Sequence, residues 1–123
     1  MRSVIVLLVV ATVAYSAVLQ YPIKVGKPLE LDLGQPVKTW VKTVQEETFT
    51  TRRCEGGEKG AACGHWVDAK GKAVDGSAVS IDDKGVLRIP KVTLADSGYY
   101  SSPDEKQSNP HFAKSQIVVQ VTN

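Results

Sequence analysis

The stretch that decides how this chain is read is "LRIPKVTLADSGYYSS", residues 87–102. Leu87 and Ile89 are two apart, so an extended strand puts both on one face and Arg88 on the other. Val92 and Leu94 carry the apolar pattern past Pro90, and "ADSG" then interrupts it. Asp96 can accept hydrogen bonds from nearby backbone amides in a turn, and Gly98 permits a tight bend. Residues 95–98 therefore read as a corner between two strands. Tyr100 follows two residues later and offers a large ring to a core, with a hydroxyl that needs an acceptor there.

Working outward, the flanking sequence is also strand-like. "LELDL" (29–33) alternates strictly, with Leu29, Leu31 and Leu33 on one face. "VKTWVKTV" (37–44) is a strand around Trp40, and "ETFTTRRC" (47–54) is another, rich in threonine. "AVSID" (78–82) and "VLRIP" (86–90) flank a hairpin turn, and "KSQIVVQVT" (114–122) places Ile117, Val119 and Val121 on one face. "YPIKVGKP" (21–28), punctuated by prolines and a glycine, suits an edge strand. "HWVDAKGKAV" (65–74) holds room for a short strand before a turn at Gly71. Helical periodicity is absent after the first residues. Short strands spaced about 8–12 residues apart, with turns between them, predict an antiparallel β-sandwich of about seven to nine strands.

The chain has 123 residues and opens "MRSVIVLLVVATVAYSAVLQ". Arg2 precedes an apolar run that is short for a bilayer span, which needs about 20 residues. Small residues then mark a cleavage site after Ser16, with Ala17 the alternative. Residues 1–16 are read as a secretory signal peptide and residues 17–123 as one domain, with no membrane span left after cleavage. Without Arg2 the 15 basic residues become 14 against 13 acidic, a net charge of +1. That balance points to no nucleic-acid partner, and the single adjacent basic pair, Arg52-Arg53, reads as a solvated strand edge.

With these residues in view, the chain resembles an immunoglobulin-superfamily domain of the I or V type. Gly85, Leu87, Ile89, Val92, Asp96, Gly98 and Tyr100 all fall in one register of that family's strand-E and corner pattern. "GKPLELDL" (26–33) resembles its strand B, with Gly26, Leu29 and Leu31 in place, and Trp40 takes the position of its strand-C tryptophan. The resemblance implies a Greek-key sandwich in which Tyr100 turns its hydroxyl back to a corner carbonyl. It also implies an arginine near the start of strand D paired with Asp96, a place for which this sequence offers no clear match beyond Lys72. The family's inter-sheet cysteines are replaced by Leu33 and Ser102. That missing bond would close a loop of about 70 residues, roughly 4 kcal/mol in the chain-entropy model. Burying Leu33 against Trp40 recovers on the order of 2 kcal/mol, and Ser102 needs a carbonyl for its hydroxyl.

The two cysteines, Cys54 and Cys63, are nine apart around a glycine-rich loop. In an oxidising compartment they are expected to be bonded to each other. Zinc is the rival, with His65 close by and His111 arriving from elsewhere, but C-x8-C-x-H is not a common zinc spacing. With two histidines in no recognised arrangement, and glycines 56, 57 and 60 lacking a Lys-Ser/Thr ending, no enzyme is expected and no cofactor.

Trp66 and Phe49 each have two readings, as cover for a sheet face or as an exposed interface anchor. The polar loop 103–110 is either an ordinary solvated loop or, as the family's F–G loop, a recognition segment carrying Asp104, Glu105, Lys106 and Gln107. The resemblance to small secreted single-domain members of the family implies binding of a cell-surface or extracellular protein. A self-associating structural protein and a secreted binder of a small ligand or metal are the alternatives. A concave apolar pocket would mark the small-ligand binder. With residue 123 at the end of the last strand, no anchor or second domain is expected after it.

Overall fold

The computed structural model describes residues 18–54, 60, 62–74, 78–106 and 115–123. The expected signal peptide, Gln107 and His111 lie outside them. The described chain is an immunoglobulin-like sandwich of two sheets. One holds five strands in the order β1 (Val18–Lys24), β8 (Gln116–Thr122), β7 (Gly98–Ser101), β3 (Thr39–Val44) and β4 (Glu47–Arg52). The other holds β2 (Leu29–Leu31), β6 (Leu87–Ile89) and β5 (Ser80–Ile81). The chain crosses between the sheets after β1, β2, β4 and β6, which is what buries an apolar face of each strand against the opposite sheet.

Period-2 alternation accounts for the core. Leu29, Leu31, Leu87 and Ile89 face inward from the smaller sheet; Trp40, Tyr100, Ile117, Val119 and Val121 face inward from the larger. Trp40 is fully buried, and its indole Nε1 donates to the Gly85 carbonyl at 3.0 Å.

Two details differ from the expected antiparallel sandwich. β1 pairs with β8 in parallel, Tyr21 beside Val119 and Ile23 beside Val121, while every other named pair is antiparallel. The chain leaves β1 for the other sheet instead of turning back in a hairpin, so the first and last strands run the same way. The second strand ends at Leu31, short of Leu33, because the Asp32 carboxylate accepts the Gly34 amide at 2.7 Å and closes a turn. Leu33 is left half-buried against the core.

The molecule is not without a cross-link. Cys54 and Cys63 form a disulfide with Cα atoms 5.7 Å apart. It joins the end of β4 to the segment that leads into Trp66, beside backbone bonds from Arg52 to Ala62 and from Cys63 to Gly60. Because both sulfurs are spent in this bond, neither can serve as a zinc thiolate.

Candidate functional site: the loop end and the outer sheet face

At one end of the sandwich the β2–β3 connection meets the segment after β7. Ser102 is buried and its hydroxyl donates to the Thr39 carbonyl at 2.5 Å while accepting the Asp104 amide at 3.1 Å. One Asp104 carboxylate oxygen takes the amides of Lys38 (3.1 Å) and Thr39 (2.9 Å). The Gln35 side chain pairs with the Lys106 backbone in both directions, donating to its carbonyl and accepting its amide at 2.8 Å each. Glu105 accepts the amide of Ser115 at 2.7 Å. Of the residues named from sequence as recognition candidates, Asp104 and Glu105 thus use carboxylate oxygens, and Lys106 its backbone, to tie loops together. Between the tied loops lies a cleft of about 610 Å³, lined by residues 34–38, Asp104 and Lys106.

Trp66 is not part of this end and is not an exposed anchor. It is only 2% exposed, packed edge-on against Tyr100 with ring centroids 5.8 Å apart. The physical reason is the pairing of its neighbour Val67 with Thr50, which continues the five-stranded sheet past β4 and turns the indole into the core. Phe49 is half-buried against the same core.

Beneath Trp66 sits a lysine. Lys42 is two residues from Trp40 on β3 and shares its inward face. Its ammonium lies 4.8 Å from the Trp66 ring centroid and 5.6 Å from that of Phe49, within cation–π range. Burial pushes its pKa down, and the nearby Asp96 carboxylate opposes that shift. Lys42, from strand β3, is therefore a cation within electrostatic reach of the corner aspartate. Lys72, expected in that role, lies exposed in a turn where its amide donates to Asp68. Asp96 is buried and accepts the Thr93 amide at 2.7 Å; the Tyr100 hydroxyl donates to the Asp96 carbonyl at 2.5 Å. Burial and the Asp96 charge both raise the Tyr100 pKa, so the phenol stays protonated.

The two outer faces of the sandwich differ in charge. On the three-stranded sheet, Arg88 pairs with Glu30 and, at 3.2 Å, with Asp82. On the five-stranded sheet, strand alternation turns outward Gln20 and Pro22 of β1, Val118 and Gln120 of β8, Tyr99 and Ser101 of β7, Val41 and Thr43 of β3, and Thr48 and Thr50 of β4. The only charged outward positions on these strands are Lys24 and Arg52, at opposite corners. Tyr99 stands near the middle, 49% exposed, between Thr43 on one neighbouring strand and Val118 on the other.

Among the described residues no group of three His, Cys, Asp or Glu side chains could hold a metal ion, and no helix is long and apolar enough to cross a membrane. Neither Lys42 nor Tyr99 was singled out from the sequence. Both carry a signal there, since counting by two from Trp40 puts a lysine inward, and counting by one from Tyr100 puts a tyrosine outward.

No family model and no curated protein matches the chain. Among solved structures it is similar to the CD2-binding domain of CD58, with 17% identity and a TM-score of 0.49 over 85% of this chain; it spans 53% of that chain. It is also similar to the four N-terminal Ig domains of Dscam1 isoform 6.44 (16% identity, TM-score 0.47, covering 88% of this chain and 23% of that one). A third is CD84, with 14% identity and a TM-score of 0.47, covering 85% of this chain and 96% of that one.

Proposed function

We propose that this chain is a secreted, single-domain binding protein that engages an extracellular or cell-surface protein through the outer face of its five-stranded sheet. In this reading residues 1–16 are removed as a signal peptide, and residues 17–123 act outside the cell. One observation carries it: the outward face is depleted of charge and holds an exposed tyrosine near its centre, whereas the opposite sheet carries an ion-pair network. Protein interfaces are marked by that depletion and by aromatic hot spots, not by bulk hydrophobicity. The face is also rigid, because it is hydrogen-bonded strand to strand, so little ordering entropy opposes binding.

A face with so little charge does not repel its own copy strongly, which keeps self-association as the second reading. Sedimentation equilibrium on the purified chain, across a hundredfold range of concentration, separates the two. The binding test itself uses fluorescent tetramers of the chain on an array of purified extracellular domains. Tyr99→Arg is expected to lower specific binding at least tenfold, while Arg88→Gln on the opposite sheet leaves it unchanged. Both variants should melt within a few degrees of the parent, since both positions are exposed. Binding by Tyr99→Arg at the parent level would remove the sheet face from the reading.

A further inference from the structure

The cleft at the loop end takes no part in the sheet-face reading, and its chemistry points elsewhere. Its walls are fixed by hydrogen bonds in both directions between Gln35 and Lys106, and by the Asp104 carboxylate on the amides of Lys38 and Thr39. Gly34, Pro36 and Val37 give it a largely apolar wall. Its volume of about 610 Å³ falls in the range of pockets that hold small molecules, roughly 300–1,000 Å³.

Charge decides what would fill it. Three carboxylates lie at this end, and each is spent on backbone amides: Asp32 on Gly34, Asp104 on Lys38 and Thr39, Glu105 on Ser115. The two lysines that line the cleft, Lys38 and Lys106, are exposed, and neither ammonium has a partner among the described residues. The carboxylates keep their charge but are held in place by the loops, and among the lining residues two lysines stand against the one carboxylate of Asp104, a net charge of +1 over a largely apolar wall. We infer that the cleft binds a small amphiphilic anion, a single carboxylate or sulfate head on a short apolar body, with Lys38 and Lys106 holding the head and Gly34 and Pro36 contacting the body. Preorganised walls mean that little of the interaction energy is lost to ordering the site.

The test is a titration of the isotopically labelled, secreted chain followed by amide NMR, with octanoate, octyl sulfate below its micellar concentration, octan-1-ol and inorganic sulfate as probes. At least one of the two amphiphilic anions should saturably shift the amides of residues 34–38 and 104–106, and the tighter head assigns the anion class. Octanol and inorganic sulfate should each bind at least tenfold more weakly, because one lacks the head and the other the body. The double variant Lys38→Gln/Lys106→Gln should weaken the anion at least tenfold while keeping the dispersed spectrum of the folded chain. Tyr99→Arg should leave the titration unchanged, so failure here and failure of the sheet-face reading are told apart. Octanol or inorganic sulfate binding as tightly as the anion, unchanged affinity in the double variant, or shifts confined to other residues would each overturn the inference, as would no binding at all.

Discussion

At the scale of single residues, Lys42 is the least expected member of the core: a lysine 8% exposed among apolar side chains. An ammonium on the inner face of β3 loses hydration, and the Trp66 and Phe49 rings and the Asp96 carboxylate return only part of it, since the net shift of its pKa is downward. A downward shift means that charging this group inside the fold is unfavourable overall. Lys42→Met, similar in length and neutral, is therefore expected to hold stability at pH 7 or raise it by about 1 kcal/mol. The pH dependence has a definite sign. Between the lowered folded value and the ordinary 10.5, the unfolded chain binds a proton that the folded chain does not, so stability rises with pH across that window. Tyr100 acts oppositely: its folded pKa lies above the ordinary 10.0, so its contribution is complete below that value and is lost as pH rises past it. Urea midpoints measured from pH 7 to 11 should show a rise and then a fall in the parent, and only the fall in Lys42→Met. A rise that survives in the variant would mean another group titrates there. Ser102 is legible in the sequence as a polar residue at a core position, but its acceptor is not. The Thr39 carbonyl lies 63 residues away along the chain, and only strand pairing brings it near.

At the scale of elements, one turn is used twice. In "DAKGK" (68–72) and "DDKGV" (82–86) the leading aspartate accepts the amides two and four residues on, at 2.9 and 3.0 Å in both. The glycine amide in turn donates to that aspartate's carbonyl, and the glycine φ is +80° in one and +83° in the other. The same local chemistry sits in two tertiary settings. A Cβ at Gly71 would meet nothing within 4 Å, whereas one at Gly85 would lie 2.4 Å from the Gln35 carbonyl oxygen and 2.5 Å from the Val37 amide nitrogen. Gly71→Ala should therefore cost about 1–2 kcal/mol, the left-handed backbone alone. Gly85→Ala adds an overpacking cost of about 1–3 kcal/mol to the same backbone cost. Chemical denaturation of the two variants side by side checks this, and equal losses would show that the loop packing against Gly85 gives way. Gly98 is constrained by proximity as well, since a Cβ there would sit 2.9 Å from the Thr43 carbonyl oxygen. The turns themselves were readable from Asp, Lys and Gly at fixed offsets. Which of the two glycines is tightly packed was not, because the packing comes from a loop some fifty residues earlier.

At the scale of the whole molecule, the cross-link ties chain within one region instead of bridging the two sheets. Replacing Cys54 and Cys63 together with serine should lower stability by about 2.5–3 kcal/mol in the chain-entropy model. Denaturation of the double variant against the oxidised parent measures it, and a loss well below 1 kcal/mol would show that backbone pairing around residues 52–63 already closes the loop. The sandwich, its inward-facing residues and the corner at residues 95–98 were legible because alternation and turn chemistry are local, set by neighbours two to four positions apart. The pairing of Cys54 with Cys63 was legible because the two cysteines are near in sequence and no third competes. Trp66 could not be placed inside or outside from sequence, since its side depends on the pairing of Val67 with a strand that starts some twenty residues earlier. The parallel edge pair, the placing of Lys42 within electrostatic reach of Asp96 and the cleft between residues 34–38 and Lys106 are likewise decided only in the tertiary structure. Each depends on contacts between segments tens of residues apart, and local periodicity carries no information about which distant segment a strand or loop will meet.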